Sequence, residues 1–140
     1  MKNKAPLSLM EQLCMLLVFA LSAALCLQIF VLSSQLSRRS EARAQAAGQV
    51  QTTAEILKYC KGDSSLYPQL LGGSGDEKLW QLSFDENWDE SAPGQARYRI
   101  VIAFEDSGLD TLGRAKVSAL SDKGDELFSL TVSWQEVAHE

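Results

Sequence analysis

The sequence predicts an α+β fold in which a long N-terminal helix packs on a small antiparallel sheet of about four strands. Three features of the 140-residue chain lead to this prediction. An uncharged apolar run comes first, an apolar stripe at helical spacing follows it, and short segments of alternating apolar and polar residues fill the rest. We divide the chain into a basic leader (1–8), a transmembrane helix (9–33), an amphipathic helical extension (34–60) and an antiparallel β-sheet domain (61–140).

The apolar run has the length and composition of a membrane-spanning helix. Residues 12–37 carry no charge and are rich in Leu, Val, Ala, Phe and Ile. At about 1.5 Å of rise per residue, residues 13–32 cover roughly 30 Å, the thickness of the hydrocarbon core of a bilayer. The run is longer than the apolar core of a secretory signal, and the polar residues 33–35 after it contain no small-x-small cleavage site. We therefore interpret it as a retained single-pass anchor.

Helical periodicity continues beyond the apolar run. No proline interrupts residues 8–66, and Gly62 is typical of a residue that ends a helix. One nearly continuous helix over about 8–59 is therefore expected, and the alternative is two helices with a kink near 33–34. The second half is amphipathic. Its apolar stripe, which we expect to cover the sheet, contains Leu36, Ala47, Val50, Ala54 and Leu57.

Four segments after Gly62 have the alternation of half-buried strands. They begin with 79–84 and 96–106, and continue with 114–122 and 126–137, the last two joined by the turn 122–125. Each strand thereby gains one apolar face that has to be covered. The stripe on the helix is the only candidate cover in the chain. The second segment shows the alternation best, with one face made of Tyr98, Ile100, Ile102 and Phe104.

Charge and cysteine content exclude several functions. The whole chain has a formal net charge of −5, but from Lys61 onward seven Lys or Arg stand against fifteen Asp or Glu, a net charge of about −8. Such an acidic domain argues against binding to nucleic acid, which needs clustered Lys and Arg. Cys14, Cys26 and Cys60 form no C-x-x-C pair, so no metal site is expected. Cys60 is interpreted as an unpaired, partly buried thiol, with pairing between subunits as the alternative.

No catalytic constellation is visible. His139 is the only histidine and lies next to the C-terminal residue, which excludes a His-dependent triad. The carboxylates within 85–90 raise the question of a calcium loop, but their spacing fits no loop template, and we interpret them as a solvated loop between strands. The chain is therefore expected not to be an enzyme and to need no cofactor.

The order of these elements resembles a type IV pilin or a type II secretion pseudopilin. In that family a basic leader precedes a short motif with a glutamate, about twenty apolar residues, an amphipathic extension and a small antiparallel sheet. Lys2 and Lys4 stand for the leader here, and the segment 127–134, LFSLTVSW, is similar to the last strand of several minor subunits. The motif itself is represented by Leu7, Ser8, Leu9, Met10 and Glu11.

The resemblance implies processing and assembly. A prepilin peptidase would cut between Pro6 and Leu7, the new amino group would be methylated, and Glu11 would face the new terminus of an adjacent subunit. Pro6 stands where the family has glycine, so three alternatives stay open: unusual processing, an uncleaved chain, or a shared architecture alone. The implied location is the bacterial cytoplasmic membrane, with the N-terminus in the cytoplasm and the sheet domain outside.

A physical argument gives Glu11 a role in assembly. It is the only ionisable carboxyl or amine between Lys4 and Arg38. A carboxylate at bilayer depth is costly unless it is paired, and the N-terminal ammonium of a neighbouring subunit is a natural partner because every subunit supplies one at the same depth. The alternatives are a hydrated Glu11 at the headgroup level, or neutralisation by Lys2 or Lys4 in an uncleaved chain.

Together with the argument on Glu11, the resemblance implies a membrane-anchored structural subunit of a pilin-like filament or of its assembly complex, of the type IV pilus, competence or type II secretion kind. The expected partners are other pilin-like subunits through the N-terminal helix, membrane lipid and a prepilin peptidase. The alternative is a single-pass accessory protein whose acidic β-domain binds a protein partner outside the cytoplasm and never enters a filament.

Overall fold

The computed structural model describes residues 4–136, and the chain divides into two compact units, Met1–Ser40 and Glu41–Glu140. Helix α1 runs unbroken over Lys4–Cys60. It begins four residues before the predicted start. Pro6 does not prevent this, because it lies in the first turn, where backbone N–H groups have no acceptor within the helix and the N–H that proline lacks is not needed. Lys2 and His139 lie outside the described residues.

In the first unit, the described part of α1 has no buried residue, and its large apolar side chains are exposed. This stretch is long and apolar enough to cross a bilayer. An apolar helix with no protein cover requires lipid or other helices around it, because such a surface is unfavourable in water.

In the second unit, α1 ends where the backbone turns left-handed. Lys61 and Gly62 have φ values of 49° and 87°. Glycine adopts such angles without the steric cost met by other residues, which makes it a common helix stop. A 3₁₀ turn, Ser64–Leu66, follows with its first turn capped by the carboxylate of Asp63, and the short helix α2 spans Tyr67–Leu70.

The sheet is an antiparallel meander of five strands in the order β1-β2-β3-β4-β5. The predicted α+β class is confirmed, with five strands in place of about four. The additional strand, β1, has only two residues between glycine-rich turns and carries no alternation by which a sequence pattern would reveal it. The strands are β1 (Ser74–Gly75), β2 (Leu79–Phe84), β3 (Tyr98–Glu105), β4 (Leu112–Ser121) and β5 (Glu126–Gln135).

One face of the sheet forms the core with α1. Strand register places apolar residues opposite each other across the strands, for example Leu82 opposite Ile100 and Ile100 opposite Ala119. Ile100, Ile102 and Val117 are fully buried. The other face is mixed, and one of its rungs consists of Leu79, Ala103, Lys116 and Thr131.

The helical stripe is buried over a narrower range than predicted. Val50, Ala54 and Leu57 belong to the core, but Ala46 takes the place of Ala47, and Leu36 is 56% exposed. Ala46 lies one turn before Val50, so it faces the same side, whereas Ala47 lies about 100° away from it around the helix. Leu36 lies ten residues before the first buried position of α1. The complete buried set is Ala46, Val50, Thr53, Ala54, Leu57 and Cys60.

Thr53 and Cys60 are the two polar members of this set, and each is accommodated. The Thr53 hydroxyl donates to the Gln49 carbonyl oxygen at 2.8 Å, which satisfies it within the helix. Cys60 is a free thiol that is 3% exposed. Burial, and secondarily the nearby Asp63 carboxylate, raise the pKa of this thiol, so the site favours the neutral form.

Candidate functional site

Glu11 lies on the exposed surface of α1, two turns into the helix. It forms no ion pair with any residue in 4–136, where the one ion pair found joins Lys116 to Glu126. Ser22, on the same face, donates its hydroxyl to the Val18 carbonyl oxygen at 2.9 Å and so needs no other partner. Glu11 is the one charged group on this face of the described helix. The other residues of the face are Cys14, Met15, Val18, Phe19 and Ser22.

The candidate processing site lies in the first turn of α1. Pro6 and Leu7 are the third and fourth residues of the helix, and the Leu7 side chain is 66% exposed. Leu7 precedes Glu11 by four residues, which places the two on the same side of the helix. A cut between Pro6 and Leu7 would thus create an amino group one helical turn from Glu11.

The acidic residues in 85–90 fold into a loop held by its own backbone. The Asp85 carboxylate accepts the N–H groups of Asn87 at 2.8 Å and Asp89 at 3.0 Å. Trp88 has a left-handed φ of 63°, and its ring stacks on Tyr98 at 4.3 Å between ring centroids. Among the described residues, no group of three or more His, Cys, Asp or Glu side chains is arranged to hold a metal ion. The hydrogen bonds to Asp85 and the left-handed backbone at Trp88 therefore serve to place the Trp88 ring against the sheet.

A cleft of about 730 Å³ lies at one end of the sheet. It is bordered by α2, the turn between β1 and β2, the loop between β3 and β4, and the residue that follows β5. The β3–β4 loop is held in shape by its own hydrogen bonds, among them Gly108 N–H to the Asp106 carboxylate at 2.8 Å and a contact between the Ser107 hydroxyl and the Leu112 carbonyl oxygen.

Four aromatic side chains form the floor of the cleft. Tyr67 stacks on Phe104 with 5.7 Å between ring centroids and an angle of 9° between the rings. Trp80 meets Tyr67 edge-on at 5.8 Å, and Trp134 meets Phe104 edge-on at 6.5 Å. The Trp80 indole N–H donates to the Gly72 carbonyl oxygen at 2.8 Å, which fixes its ring. The floor is therefore a set of aromatic rings held in defined orientations.

The rim of the cleft is acidic. Among the residues that the structure describes, the one basic side chain that borders it is Arg114. Two of the acids, Asp76 and Asp106, accept backbone N–H groups, and the bonds from the N–H groups of Leu79 and Lys78 lower the pKa of Asp76. Within residues 4–136, the carboxylates of the rim are Asp76, Glu77, Glu105, Asp106, Asp110 and Glu136.

The electrostatics of the floor agree with this acidic surrounding. The pKa of Tyr67 is raised to about 12, mainly by burial and then by the nearby Cys60, Glu136 and Asp63. Burial opposes a charge of either sign on the floor, and the carboxylates of Glu136 and Asp63 add to the cost of a negative charge.

The sequence indicated some of the aromatic side chains of this cleft, but it did not indicate that they come together in one site. The alternation in β3 places Phe104 on the apolar face, and the same pattern in β5 places Trp134 there. Nothing local indicates that Tyr67, in the loop after α1, stacks on a residue 37 positions later in the chain. The sequence also does not show which carboxylates lack an ion-pair partner, because ion pairs depend on which strands and loops become neighbours in the fold.

Scans against protein families, curated proteins and solved structures find no match for this chain. The resemblance to pilin-like proteins accordingly rests on the motif at 7–11 and on the order of the elements.

Proposed function

We propose that this chain is a membrane-anchored structural subunit of a pilin-like filament or of its assembly complex, of the type IV pilus, competence or type II secretion kind. Its N-terminus lies in the cytoplasm, its apolar helix in the bacterial cytoplasmic membrane, and its sheet domain outside. The observation that carries the proposal is Glu11, an exposed carboxylate at the start of an uncovered apolar helix that finds no ion pair among residues 4–136.

The energetic reason is the cost of the isolated charge. An ionised carboxylate at the depth of the bilayer costs on the order of 3 kcal/mol on insertion scales, and this cost falls when a cation lies beside it. In a stack of identical helices, each N-terminal amino group is held near the glutamate of a neighbour. Glu11 then favours the assembled state over the single helix and fixes the register between subunits.

Chemical coupling tests the carboxylate–amine pair directly. An apolar carbodiimide joins a carboxylate to an amine only when the two are in contact. Treating native membranes and sequencing the products by mass spectrometry should find Glu11 joined to the N-terminal amine of another copy or of a related subunit. Glu11→Gln should insert normally and lose both this product and co-assembly, whereas the matched control Gln12→Ala should retain both. Equal assembly of the two variants would refute the role of Glu11.

The N-terminal mass of the purified protein tests processing. A chain that starts at a methylated Leu7 supports the filament proposal. A chain that still starts at Met1 would show that Pro6 prevents cleavage.

A single-pass accessory protein is the second candidate. The observation that favours it is the acidic sheet domain, with a net charge of about −8 from Lys61 onward, which suits a basic partner better than another copy of itself. An intact Met1 together with unchanged assembly of Glu11→Gln would favour this candidate.

A further inference from the structure

The filament proposal uses the N-terminal helix and leaves the cleft of the sheet domain without a role. Concave sites with an apolar floor and a few convergent polar groups are the usual form of a binding site. In this cleft the floor is aromatic and fixed, and the described part of the rim has six carboxylates and one basic side chain, Arg114.

Four of the rim carboxylates are free to bind a ligand. Within residues 4–136, the side chains of Glu77, Glu105, Asp110 and Glu136 form neither a hydrogen bond nor an ion pair, and Arg114 lies opposite Glu105 in the strand register. Acids of this kind repel each other unless a cation lies between them. The rings beneath them attract cations as well, because the face of an aromatic ring is electronegative.

The unpartnered indole donor of Trp134 lies inside the cleft wall, out of reach of a ligand. Trp134 is 7% exposed, and its indole N–H is the one buried side-chain polar atom without a hydrogen-bond partner among the described residues. It lies beside Gly113, which also borders the cleft. The indole nitrogen has less than 1 Å² of accessible surface, so the surface that a ligand meets is made by the carboxylates and by the half-buried rings of Trp80 and Phe104.

A peptide with basic side chains meets these requirements together. Its guanidinium or ammonium group fits the acidic rim, and its aliphatic stem packs on the rings. Charge argues against a second copy of this domain as the occupant, since the two would each bring a net charge of about −8.

We propose that the cleft between α2, the β1–β2 turn, the β3–β4 loop and Glu136 binds a Lys- or Arg-bearing segment of a different protein. The cationic side chain lies between the free carboxylates and over the rings of Trp80 and Phe104. This site does not rest on filament assembly, so Glu11→Gln should leave it unchanged.

The test measures binding of a peptide to the full chain in micelles of an uncharged detergent. The probe is acetyl-Arg-Ala-Arg-Ala-Arg-amide, and its counterpart carries Glu in place of Arg. Two of the three tryptophans, Trp80 and Trp134, line the cleft, so their fluorescence reports binding. Salt at about 0.15 M limits attraction to charges within roughly 8 Å and suppresses diffuse binding.

Matched variants separate the cleft from overall charge. Glu77→Gln/Asp110→Asn/Glu136→Gln should weaken peptide binding about tenfold or more. Glu86→Gln/Asp122→Asn/Asp125→Asn removes the same number of charges elsewhere in the domain and should change binding by less than about twofold. Phe104→Leu keeps every charge and should also weaken binding, with the melting curve recorded to show that the fold is intact.

Three results would overturn the proposal. The first is equal weakening by the two triple variants, which would make the attraction diffuse. The second is a free polyamine or the Glu peptide binding as tightly as the Arg peptide. The third is self-association that the cleft variants abolish while the peptide has no effect, which would make a second copy the occupant.

Discussion

Replacing Val50 by aspartate tests whether α1 and the sheet share one core. Val50 is fully buried, and the side chains buried with it are apolar apart from Thr53 and Cys60. Losing the buried valine costs about 2 kcal/mol, and burying a carboxyl group without a partner costs about 2 kcal/mol or more, even when it is protonated. The sum is on the order of 4 kcal/mol, comparable to the whole stability of a small domain.

The assay is thermal unfolding of the full chain in uncharged detergent, followed by tryptophan fluorescence. All three tryptophans, Trp80, Trp88 and Trp134, lie in the sheet domain, so the signal reports on that unit. At about 4–8 °C per kcal/mol, the midpoint should fall by about 16 °C or more, or the transition should be lost. The control is Gln51→Asp, an exposed neighbour on the same helix. A Val50→Asp midpoint equal to that of the control would refute helix–sheet packing at this position.

Three further predictions concern stability. Gly113→Ala would place a Cβ 2.3 Å from the indole of Trp134, so it should lower the free energy of unfolding by about 1–3 kcal/mol or more in denaturant titrations. The control Gly94→Ala, whose Cβ would have no atom within 4 Å, should leave the free energy of unfolding unchanged. Gly48→Ala, on the exposed side of α1 with nothing within 4 Å, should raise stability by about 0.5–1 kcal/mol in the same titration, and a loss would show that the position is covered. The pKa of Tyr67 is raised from 10.0 to about 12, so the unfolded chain loses this proton first, and the stability that the neutral phenol contributes is present below pH 10 and lost as the pH rises toward 12. Melting midpoints between pH 9 and 11 should therefore fall more steeply for the wild type than for Tyr67→Phe, and parallel curves would contradict the assigned burial.

Local patterns predicted the elements because each one has a strong period. The alternation over 79–84 gives β2 with the same bounds in the structure, and the turn after Ser121 gives the β4–β5 hairpin. The α1 stripe shows the limit of such reasoning. Ala46 and Ala47 are the same residue type, so composition does not reveal which of them faces the sheet, and the geometry of the contact decides.

The candidate sites divide in the same way. Glu11 is evident from the sequence because its significance comes from the absence of other charges nearby. The cleft is not evident, because its floor joins α2 to strands β2, β3 and β5, and its acids matter only through their lack of partners. Long-range packing of this kind leaves no periodic signal.

Small residues form part of the buried face in the second half of α1 and of the sheet face that it covers. Ala46 and Ala54 lie on the buried face of the helix, and Ala115 and Ala119 lie on the buried face of β4, all 0–4% exposed. Small residues therefore lie on both sides of this core, and the fully buried Leu57, Ile100 and Ile102 are among the larger side chains that fill it. The first unit shows no such division, because its described residues are exposed on every side of the helix. One helix thus carries two kinds of surface. One has its partner within the chain, and the other depends on lipid or on other helices.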